Sequence, residues 1–113
     1  MRRGYSFEYW VKQQLIKQYG KDSVIKLPFW EFKGDFLVIN GDRILKVVEC
    51  KKHKSKFYPT KKEKEQILKI IEFCKNHNVL GEFWVKEGRK LTILNLNEVK
   101  NKYINGGECV HNL

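Results

Sequence analysis

Two segments of the chain carry apolar residues at every third or fourth position, which is the pattern of a helix with one buried face. The first segment is Tyr5–Tyr19, and the second is Lys61–Asn76, where Thr60 and Glu63 form a capping-box pattern at the start. A third, shorter helix is predicted for Leu96–Tyr103. The predicted buried stripe of the first helix consists of Phe7, Val11, Leu15 and Tyr19.

Five further segments are rich in β-branched and aromatic residues and are predicted to be strands. The predicted strands are Ser23–Phe29, Asp35–Ile39, Ile44–Lys51, Val79–Lys86 and Lys90–Leu94. Asn40-Gly41-Asp42 lies between the second and third strands and is a strong hairpin turn signal. A second hairpin is predicted to turn at Glu87-Gly88.

The predicted elements follow the order α, β, β, β, α, β, β, α, with no internal repeat and no long linker between them. This order predicts an α/β fold in which a central mixed β-sheet is flanked by helices. A chain of 113 residues has room for one such domain, so we expect a single domain over 1–113. The tail from about Asn105 is small and polar, and we expect it to be flexible.

The net charge of the chain indicates which class of partner it binds. It has 23 Lys and Arg against 13 Asp and Glu, which gives a formal net charge of +10. Such an excess repels itself in a small protein, and a polyanionic partner would offset that repulsion. Nucleic acid and an anionic membrane surface are the two polyanions to consider. No apolar run approaches 18 residues, so we expect DNA rather than a membrane as the partner.

The amino-terminal residues and the cysteines indicate the compartment. The chain begins with Met1-Arg2-Arg3-Gly4 and then enters the helical pattern, without the apolar stretch of a secretory signal. Cys50, Cys74 and Cys109 are widely spaced and form no Cys-x-x-Cys pair. Neither a disulfide framework nor a zinc site is indicated. We therefore expect an intracellular, cytoplasmic protein with reduced thiols.

Glu8 interrupts the apolar stripe of the first helix. At 100° per residue, Leu15 and Tyr19 lie within about 20° of Glu8 around the helix axis. An unpaired buried carboxylate costs several kcal/mol, so Glu8 is expected to have a cation or a strong donor nearby. Alternatively, it lies in the first helical turn, complements the helix dipole and remains partly solvated.

Charged residues also fall on apolar faces of the first predicted hairpin. By strand alternation Asp35 shares a face with Leu37 and Ile39. Glu49 and Lys51 likewise share a face with two apolar residues, Leu45 and Val47.

The turn predicts how these charges meet across the hairpin. A three-residue loop, Asn40-Gly41-Asp42, would place Asp35 opposite Val47 and diagonal to Glu49, about 7 to 8 Å away at Cα. Two carboxylates at that separation can share one hard cation, which favours Mg²⁺, with Mn²⁺ as a substitute. The alternative is that Glu49-Cys50-Lys51 forms an ordinary solvated pair at a strand edge.

The spacing of these residues resembles the PD-(D/E)xK nuclease superfamily, in which an Asp and a Glu-x-Lys on the next strand form the metal site. Here Gly34-Asp35 is followed by thirteen residues and then by Glu49-Cys50-Lys51. Within the superfamily, the chain is similar to archaeal and archaeal-virus Holliday junction resolvases. The likeness rests on Arg2-Arg3-Gly4 with Glu8, on Phe57-Tyr58 with the lysine-rich helix after it, and on Phe83-Trp84-Val85-Lys86. Gly34 replaces the usual Pro, and 28–33 replaces a Ser/Gly-rich loop.

The resemblance implies a restriction-endonuclease-like core and a metal-dependent endonuclease that cuts four-way DNA junctions. Glu8, Asp35 and Glu49 would ligate Mg²⁺, and Lys51 would orient or deprotonate the attacking water. Two symmetric cuts imply a homodimer with paired active sites.

Basic residues near the predicted site are candidates for phosphate contacts, which position DNA without reading its sequence. These candidates are Arg2, Arg3, Lys33, Lys52, His53, Lys54 and Lys56. Each one taken alone is also compatible with a solvated surface charge. Trp10, Trp30 and Trp84 are candidates for base stacking, although a core or subunit contact is favoured for Trp10 and Trp84.

Two other functions fit the same pattern. One is a different nuclease of the superfamily, such as a nicking enzyme, an exonuclease or a restriction-like endonuclease. The other is a DNA-binding protein that keeps the fold without catalysis. The presence of Glu8, Asp35, Glu49 and Lys51 together disfavours the second, because a degenerate site usually carries a neutral replacement.

Overall fold

The computed structural model describes residues 6–27 and 35–105. Three helices and five strands account for most of these residues. They are α1 (Phe7–Tyr19), β1 (Val24–Lys26), β2 (Phe36–Asn40), β3 (Arg43–His53), α2 (Lys61–His77), β4 (Leu80–Glu87), β5 (Lys90–Asn95) and α3 (Leu96–Val99). A short 3₁₀ turn, Lys21–Ser23, precedes β1, and a π-helical segment, Lys100–Asn105, continues α3. The predicted order of elements is confirmed.

The five strands form one sheet in the order β1-β2-β3-β4-β5. All neighbouring strands are antiparallel except β3 and β4, which are parallel and are connected through α2. A parallel pair requires a long crossover, and a helix is its usual form. The predicted α/β class, a mixed sheet flanked by helices, is therefore confirmed.

Capping residues determine where α1 begins and where α2 begins and ends. Ser6 caps α1 by accepting a hydrogen bond from the Tyr9 N–H at 3.0 Å. Thr60 and Glu63 form the predicted capping box of α2, with Thr60 N donating to Glu63 Oε1 at 2.8 Å. Asn78 then ends α2 in the left-handed conformation, at a φ of 56°.

One hydrophobic cluster lies between α1 and the sheet. Apolar residues at four-residue intervals place one face of α1 against β1, β2 and β3. The cluster consists of Phe7, Val11, Leu15, Val24, Phe36, Val38, Val48 and Trp84. The predicted stripe is thus confirmed for its first three residues, and Tyr19 packs at its margin.

A second cluster lies on the opposite face of the sheet, under α2 and the carboxy-terminal helical segment. It consists of Val47, Phe57, Ile67, Ile70, Ile71, Cys74, Phe83, Val85, Leu94, Val99 and Tyr103. The predicted third helix is present as α3 and the π-helical segment, and it contributes Val99 and Tyr103 to this cluster. None of the helices in the described ranges combines the length and apolar composition needed to cross a bilayer.

The β2–β3 hairpin differs from the predicted one. Asn40 pairs with Arg43, so the loop contains two residues, and Gly41 occupies a positive φ of 64°. Such a tight turn is favoured by glycine because it lacks a Cβ. Ile39 pairs with Ile44 and Val38 with Lys46, which leaves Leu45 as the extra residue of a β-bulge.

The bulge changes which residues share a face. Beyond the bulge Leu37 pairs with Val47, and the same register places Asp35 opposite Glu49. The predicted pairing of Asp35 with Val47 is therefore wrong by two residues along β3. Leu45 packs on the α1 side, whereas Val47 belongs to the α2 side. The prediction that both share the face of Glu49 is therefore wrong for Leu45.

Other boundaries shift by a few residues. The first predicted strand is shorter in the structure, Val24–Lys26, whereas β3 is longer and extends to His53. The second hairpin turns at Gly88 and Arg89, because Glu87 pairs with Lys90. The aromatic segment 28–33 and the tail from 106 lie outside the described residues.

Gly81 offers a test of the packing between α2, β4 and α3. A Cβ at this position would lie 2.5 Å from Leu96 Cδ2 and 3.2 Å from Cys74 Sγ. We expect Gly81→Ala to lower the free energy of unfolding by about 1–3 kcal/mol, because the side chains must shift to admit it. Urea unfolding measures this change. Part of the loss should be recovered in Gly81→Ala combined with Leu96→Ala, and an unaltered stability of Gly81→Ala would contradict this packing.

Candidate active site

The candidate site lies where the start of β2 meets the second half of β3. Phe36 pairs with Val48, and continuing this register by one residue places Asp35 beside Glu49. Glu49 and Lys51 alternate with Cys50 along β3, so they share the α2 face of the sheet. The predicted convergence of Asp35, Glu49 and Lys51 is therefore present, with Asp35 and Glu49 nearer in register than predicted.

Asp35 is held by the backbone of the opposite strand. The Cys50 N–H donates to Asp35 Oδ2 at 2.7 Å, and the Asp35 N–H donates to the Val48 carbonyl at 2.8 Å. Burial and the nearby negative charge of Glu49 raise the pKa of Asp35 to about 8. A hydrogen bond with Glu8 raises it further, whereas the Cys50 N–H opposes the shift. The Asp35 carboxyl is thus fixed in a place where negative charge accumulates.

Glu49 is more deeply buried than Asp35. Its exposed fraction is 8%, because Phe83 lies beside it on β4. Burial raises the pKa of Glu49, and the Lys51 ammonium partly offsets this rise. Lys51 Nζ lies 3.3 Å from Glu49 Oε2. The pair has little access to water, so each charge depends on the other.

Glu8 reaches the site from the first turn of α1, but it lies at the edge of the buried face. Its side chain is 36% exposed, and its Oε1 atom lies 2.8 Å from Lys26 Nζ on β1. Burial opposes ionisation, but the Lys26 ammonium and a hydrogen bond with Asp35 outweigh it and lower the pKa of Glu8. The prediction that Glu8 centres the buried stripe is thus wrong, because the stripe follows Phe7, Val11 and Leu15. Its expected cation is present as Lys26.

The carboxylates have the chemistry that a hard divalent cation requires. Asp35 interacts with both Glu8 and Glu49, which brings three oxygen-donor side chains into one small region. Within 6–27 and 35–105, however, no three Asp, Glu, His or Cys side chains already enclose an ion-sized space. Glu8 and Glu49 each form an ion pair with a lysine. These ion pairs would have to break before the carboxylate oxygens could bind a cation. The donor set fits Mg²⁺, which prefers carboxylate oxygens and retains several waters.

Gln66 and Lys26 complete these contacts, and neither residue was predicted from the sequence. Lys51 Nζ donates to Gln66 Oε1 on α2 at 3.3 Å, and Lys26 pairs with Glu8. Gln66 lies one position before the buried Ile67, at the margin of the apolar face of α2. Neither residue interrupts a periodic pattern, so the sequence contains no signal for them. Their contacts exist only because α1 and α2 pack on the sheet.

The predicted phosphate-binding residues divide into two groups. Lys52 and His53 end β3, Lys54 and Lys56 follow it, and all four are exposed beyond Lys51. They lie at the end of β3 that carries Lys51, and their contacts with phosphate stay a prediction. Arg2, Arg3 and Lys33 lie outside the described residues, as does Trp30. Trp84 is a core residue, as favoured by the sequence, whereas Trp10 is substantially exposed.

Comparison with known proteins yields matches among solved structures. No protein-family model matches the sequence, and no curated protein matches it. Among solved structures, the chain is similar to Hjc, a Holliday junction resolvase from Archaeoglobus fulgidus, an archaeal hyperthermophile. The identity is 19%, the match covers 75% of each chain, and the TM-score is 0.48. At these values the similarity assigns neither a substrate nor a site residue to the present chain.

The raised pKa of Asp35 predicts a pH-dependent loss of stability. The folded protein retains a proton on Asp35 up to about pH 8, whereas the ordinary value is 3.8. The stability from this proton is complete below about pH 4 and is lost as the pH rises through 8. We expect Asp35→Asn, which retains an acceptor for Cys50, to flatten this dependence and to be more stable than wild type at pH 8.5 by at least about 1 kcal/mol.

Urea unfolding at pH 5 and pH 8.5 measures this effect. Asp42→Asn is the matched control, because Asp42 is exposed in the β2–β3 turn. We expect the control to follow the wild-type profile. Parallel pH profiles for Asp35→Asn and wild type would show that the acidic cluster exerts no strain on the fold.

Proposed function

We propose that this protein is a metal-dependent endodeoxyribonuclease that hydrolyses phosphodiester bonds in DNA. The observation that carries the proposal is the position of Asp35, whose carboxyl interacts with both Glu8 and Glu49 while Lys51 lies beside Glu49. Strongly perturbed ionisation of clustered carboxylates is characteristic of functional sites. A stable fold gains nothing from this cluster without a cation, because burial and like charge both oppose it.

Glu8, Asp35 and Glu49 would hold Mg²⁺, with Mn²⁺ as a substitute. Such an ion supplies Lewis-acid stabilisation of the phosphate and lowers the pKa of a bound water. Lys26 and Lys51 are the positive charges next to Glu8 and Glu49 in the structure. In this proposal the two lysines compensate the carboxylates until an ion binds, and Lys51 then becomes available to the substrate.

Lys51 would act on the attacking water and on the scissile phosphate. Its ammonium is held between Glu49 Oε2 and Gln66 Oε1, both at 3.3 Å, which limits its rotation. A positioned ammonium orients a water molecule by hydrogen bonding and stabilises the negative charge that develops on the phosphate. Gln66 would keep Lys51 in place when Glu49 turns to the metal, so we assign Gln66 as a positioning residue.

Grip on the DNA would come from the basic residues at the same end of β3. Lys52, His53, Lys54 and Lys56 are exposed there, and the net charge of +10 attracts a polyanion from a distance. Arg2, Arg3 and Lys33 are proposed to take part because they lie close in sequence to Glu8 and Asp35. Contacts of this kind set the register of the DNA and carry no sequence preference.

We further propose four-way junctions as the preferred substrate, on the basis of the sequence likeness to archaeal Holliday junction resolvases. Cutting a junction symmetrically requires two active sites, so the protein would act as a homodimer. A nicking, exonucleolytic or restriction-like nuclease would use the same residues without that symmetry. A DNA-binding protein without catalysis is disfavoured, because it has no use for a cluster of buried carboxylates.

Cleavage assays on three substrates test this proposal. Labelled four-way junction, linear duplex and single-stranded DNA of matched sequence are incubated with the protein in Mg²⁺ or in EDTA. We expect Mg²⁺-dependent cuts in the junction, placed symmetrically across the branch point. Glu49→Gln should reduce the cleavage rate more than about 100-fold, because it removes a proposed ligand from the metal.

Controls separate metal binding from cleavage. Mg²⁺ should raise the melting temperature of the wild type but not that of Glu49→Gln, because a ligand that binds only the folded state stabilises it. Glu72→Gln, an exposed change on α2, should behave like wild type. DNA binding without Mg²⁺-dependent cutting would contradict the proposed enzymatic activity. Equal cutting of linear duplex and junction would retain the nuclease and exclude junction preference.

Gln66→Ala tests the positioning of Lys51. Loss of the amide acceptor should lower kcat about tenfold, the scale of a hydrogen bond to a charged group, while KM changes little. Gln66→Glu retains an acceptor and should restore most of the rate. Gln18→Ala, a change at an exposed glutamine on α1, is the control. A rise in KM with an unchanged kcat would assign Gln66 to DNA binding instead.

A further inference from the structure

A groove of about 370 Å³ lies on the α1 side of the sheet. Its lining comes from the first turn of α1, the ends of β3 and β4, the β4–β5 turn and β5. The principal residues are Phe7, Trp10, Lys52, Lys86, Arg89 and Leu91. This volume is at the small end of the range for ligand sites, about 300–1,000 Å³. None of the four proposed catalytic residues lines it.

The groove nevertheless adjoins the candidate active site. Phe7 precedes Glu8 in α1, and Lys52 follows Lys51 in β3, and consecutive Cα atoms are about 3.8 Å apart. Successive side chains of a strand point to opposite faces, so Lys51 faces α2 while Lys52 faces the groove. A polymer bound at the active site would therefore need to pass only the end of β3 to enter the groove.

Three cations line the groove without an acidic partner in the described part of the chain. Among the residues that the structure describes, the ion pairs are formed by Lys26, Lys46 and Lys51, and none involves Lys52, Lys86 or Arg89. Lys86 Nζ instead lies 5.9 Å from the centroid of the Phe7 ring. Three unpaired cations around one small groove repel each other, and an anion would relieve this repulsion. The charge of the groove therefore favours a phosphate-containing ligand.

Trp10 presents an aromatic surface in the same groove. Its side chain is 44% exposed although it contacts two other rings. The Phe7 ring is stacked on it at a centroid distance of 6.2 Å, and Trp84 meets it edge-on at 6.2 Å. These contacts hold the indole in place from inside the protein. A fixed, half-exposed indole beside cations is the combination with which proteins bind unpaired nucleotides.

We propose that the groove binds an unpaired nucleotide of a DNA strand, with its base against Trp10 and its phosphates against Lys52, Lys86 and Arg89. A base within duplex DNA has no free face for stacking, so the groove selects DNA whose strands are locally unpaired. A second copy of this chain is a poorer occupant of this groove, because a protein with a net charge of +10 would bring further positive charge to its three cations. The proposed homodimer would therefore use another surface. The inference rests on the proposed function in that the same DNA would occupy the active site.

Binding measurements in EDTA test the groove without requiring catalysis. Fluorescence anisotropy is recorded with a labelled 12-nucleotide single strand and with a duplex hairpin of matched sequence. Lys86→Ala and Arg89→Ala should each weaken single-strand binding about fivefold. Each should also reduce the steepness of its salt dependence by about 0.7, as expected for one lost phosphate contact on a single strand. Arg43→Ala is the matched control, an exposed hairpin arginine at the opposite end of the sheet, and it should leave affinity unchanged.

Changes at Trp10 test the stacking. Trp10→Leu should weaken single-strand binding about tenfold, within the range measured for loss of base stacking, and duplex binding less than twofold. Trp10→Phe keeps an aromatic face and should bind nearly as wild type does. Because Trp10 contacts Trp84, thermal unfolding followed by circular dichroism shows whether each variant folds. If Trp10→Leu does not fold, Lys86→Ala and Arg89→Ala still decide the proposal.

The outcomes separate this inference from the proposed function. Unchanged single-strand affinity in Lys86→Ala and Arg89→Ala, or equal losses for single strand and duplex in Trp10→Leu, would overturn the groove even if the wild type cuts junctions. A change of oligomeric state in Arg89→Ala, measured by sedimentation, would instead make the groove a subunit interface and also overturn it. If the expected losses of single-strand affinity occur in a protein that never cuts DNA, the groove proposal stands and the proposed nuclease activity is wrong.

Discussion

The pairing of β3 with its two neighbours is the constraint on which the rest of the molecule depends. β3 is antiparallel to β2 on one edge and parallel to β4 on the other, with eight paired residues from Lys46 to His53 along β4. The β2 pairing brings the Cys50 N–H to Asp35, and the β4 pairing lays Phe83 beside Glu49. One strand therefore provides both the backbone donor that fixes one carboxyl and the apolar surroundings that desolvate another. A shift of register by one residue would turn these side chains to opposite faces.

The negative charge of the acidic cluster opposes folding, and nearby lysines partly offset that charge through ion pairs. Burial raises the pKa of both Asp35 and Glu49, while Lys51 and Lys26 offset the charges of Glu49 and Glu8. Another buried ion pair on the same strand, Lys46 with Glu82, has a different form. Lys46 is enclosed between Glu82 and Tyr19 at 2.8 and 2.7 Å, with no excess of either charge. In the candidate site, by contrast, Asp35 has a backbone donor but no cation partner among the described residues, and this distinguishes the site from ordinary buried polarity.

The two faces of β3 have different tasks in the proposed function. Lys51 faces α2 with Glu49, and Lys52 faces the groove that Trp10 and Arg89 line. In these proposals the strand end connects the candidate active site with the groove for an unpaired nucleotide. Because α1 covers β1, β2 and β3 but leaves Leu91 and Ile93 of β5 partly exposed, the groove exists at the point where helical cover ends. Incomplete cover of a sheet face is a common way to form a binding site beside a rigid core.

The order of the elements, the α/β class and the proximity of Asp35, Glu49 and Lys51 could be predicted from the amino-acid sequence, because periodicity and strand parity are local properties. The register of the β2–β3 hairpin could not be predicted, since the two-residue turn at Gly41 and the bulge at Leu45 move the partner of Asp35 without altering the apolar pattern. The folded structure fixed that register. It likewise decided that Glu8 lies at a solvated edge beside Lys26 and that Gln66 meets Lys51. Those contacts join residues 15 to 18 positions apart through the packing of whole helices on the sheet, which no local pattern records.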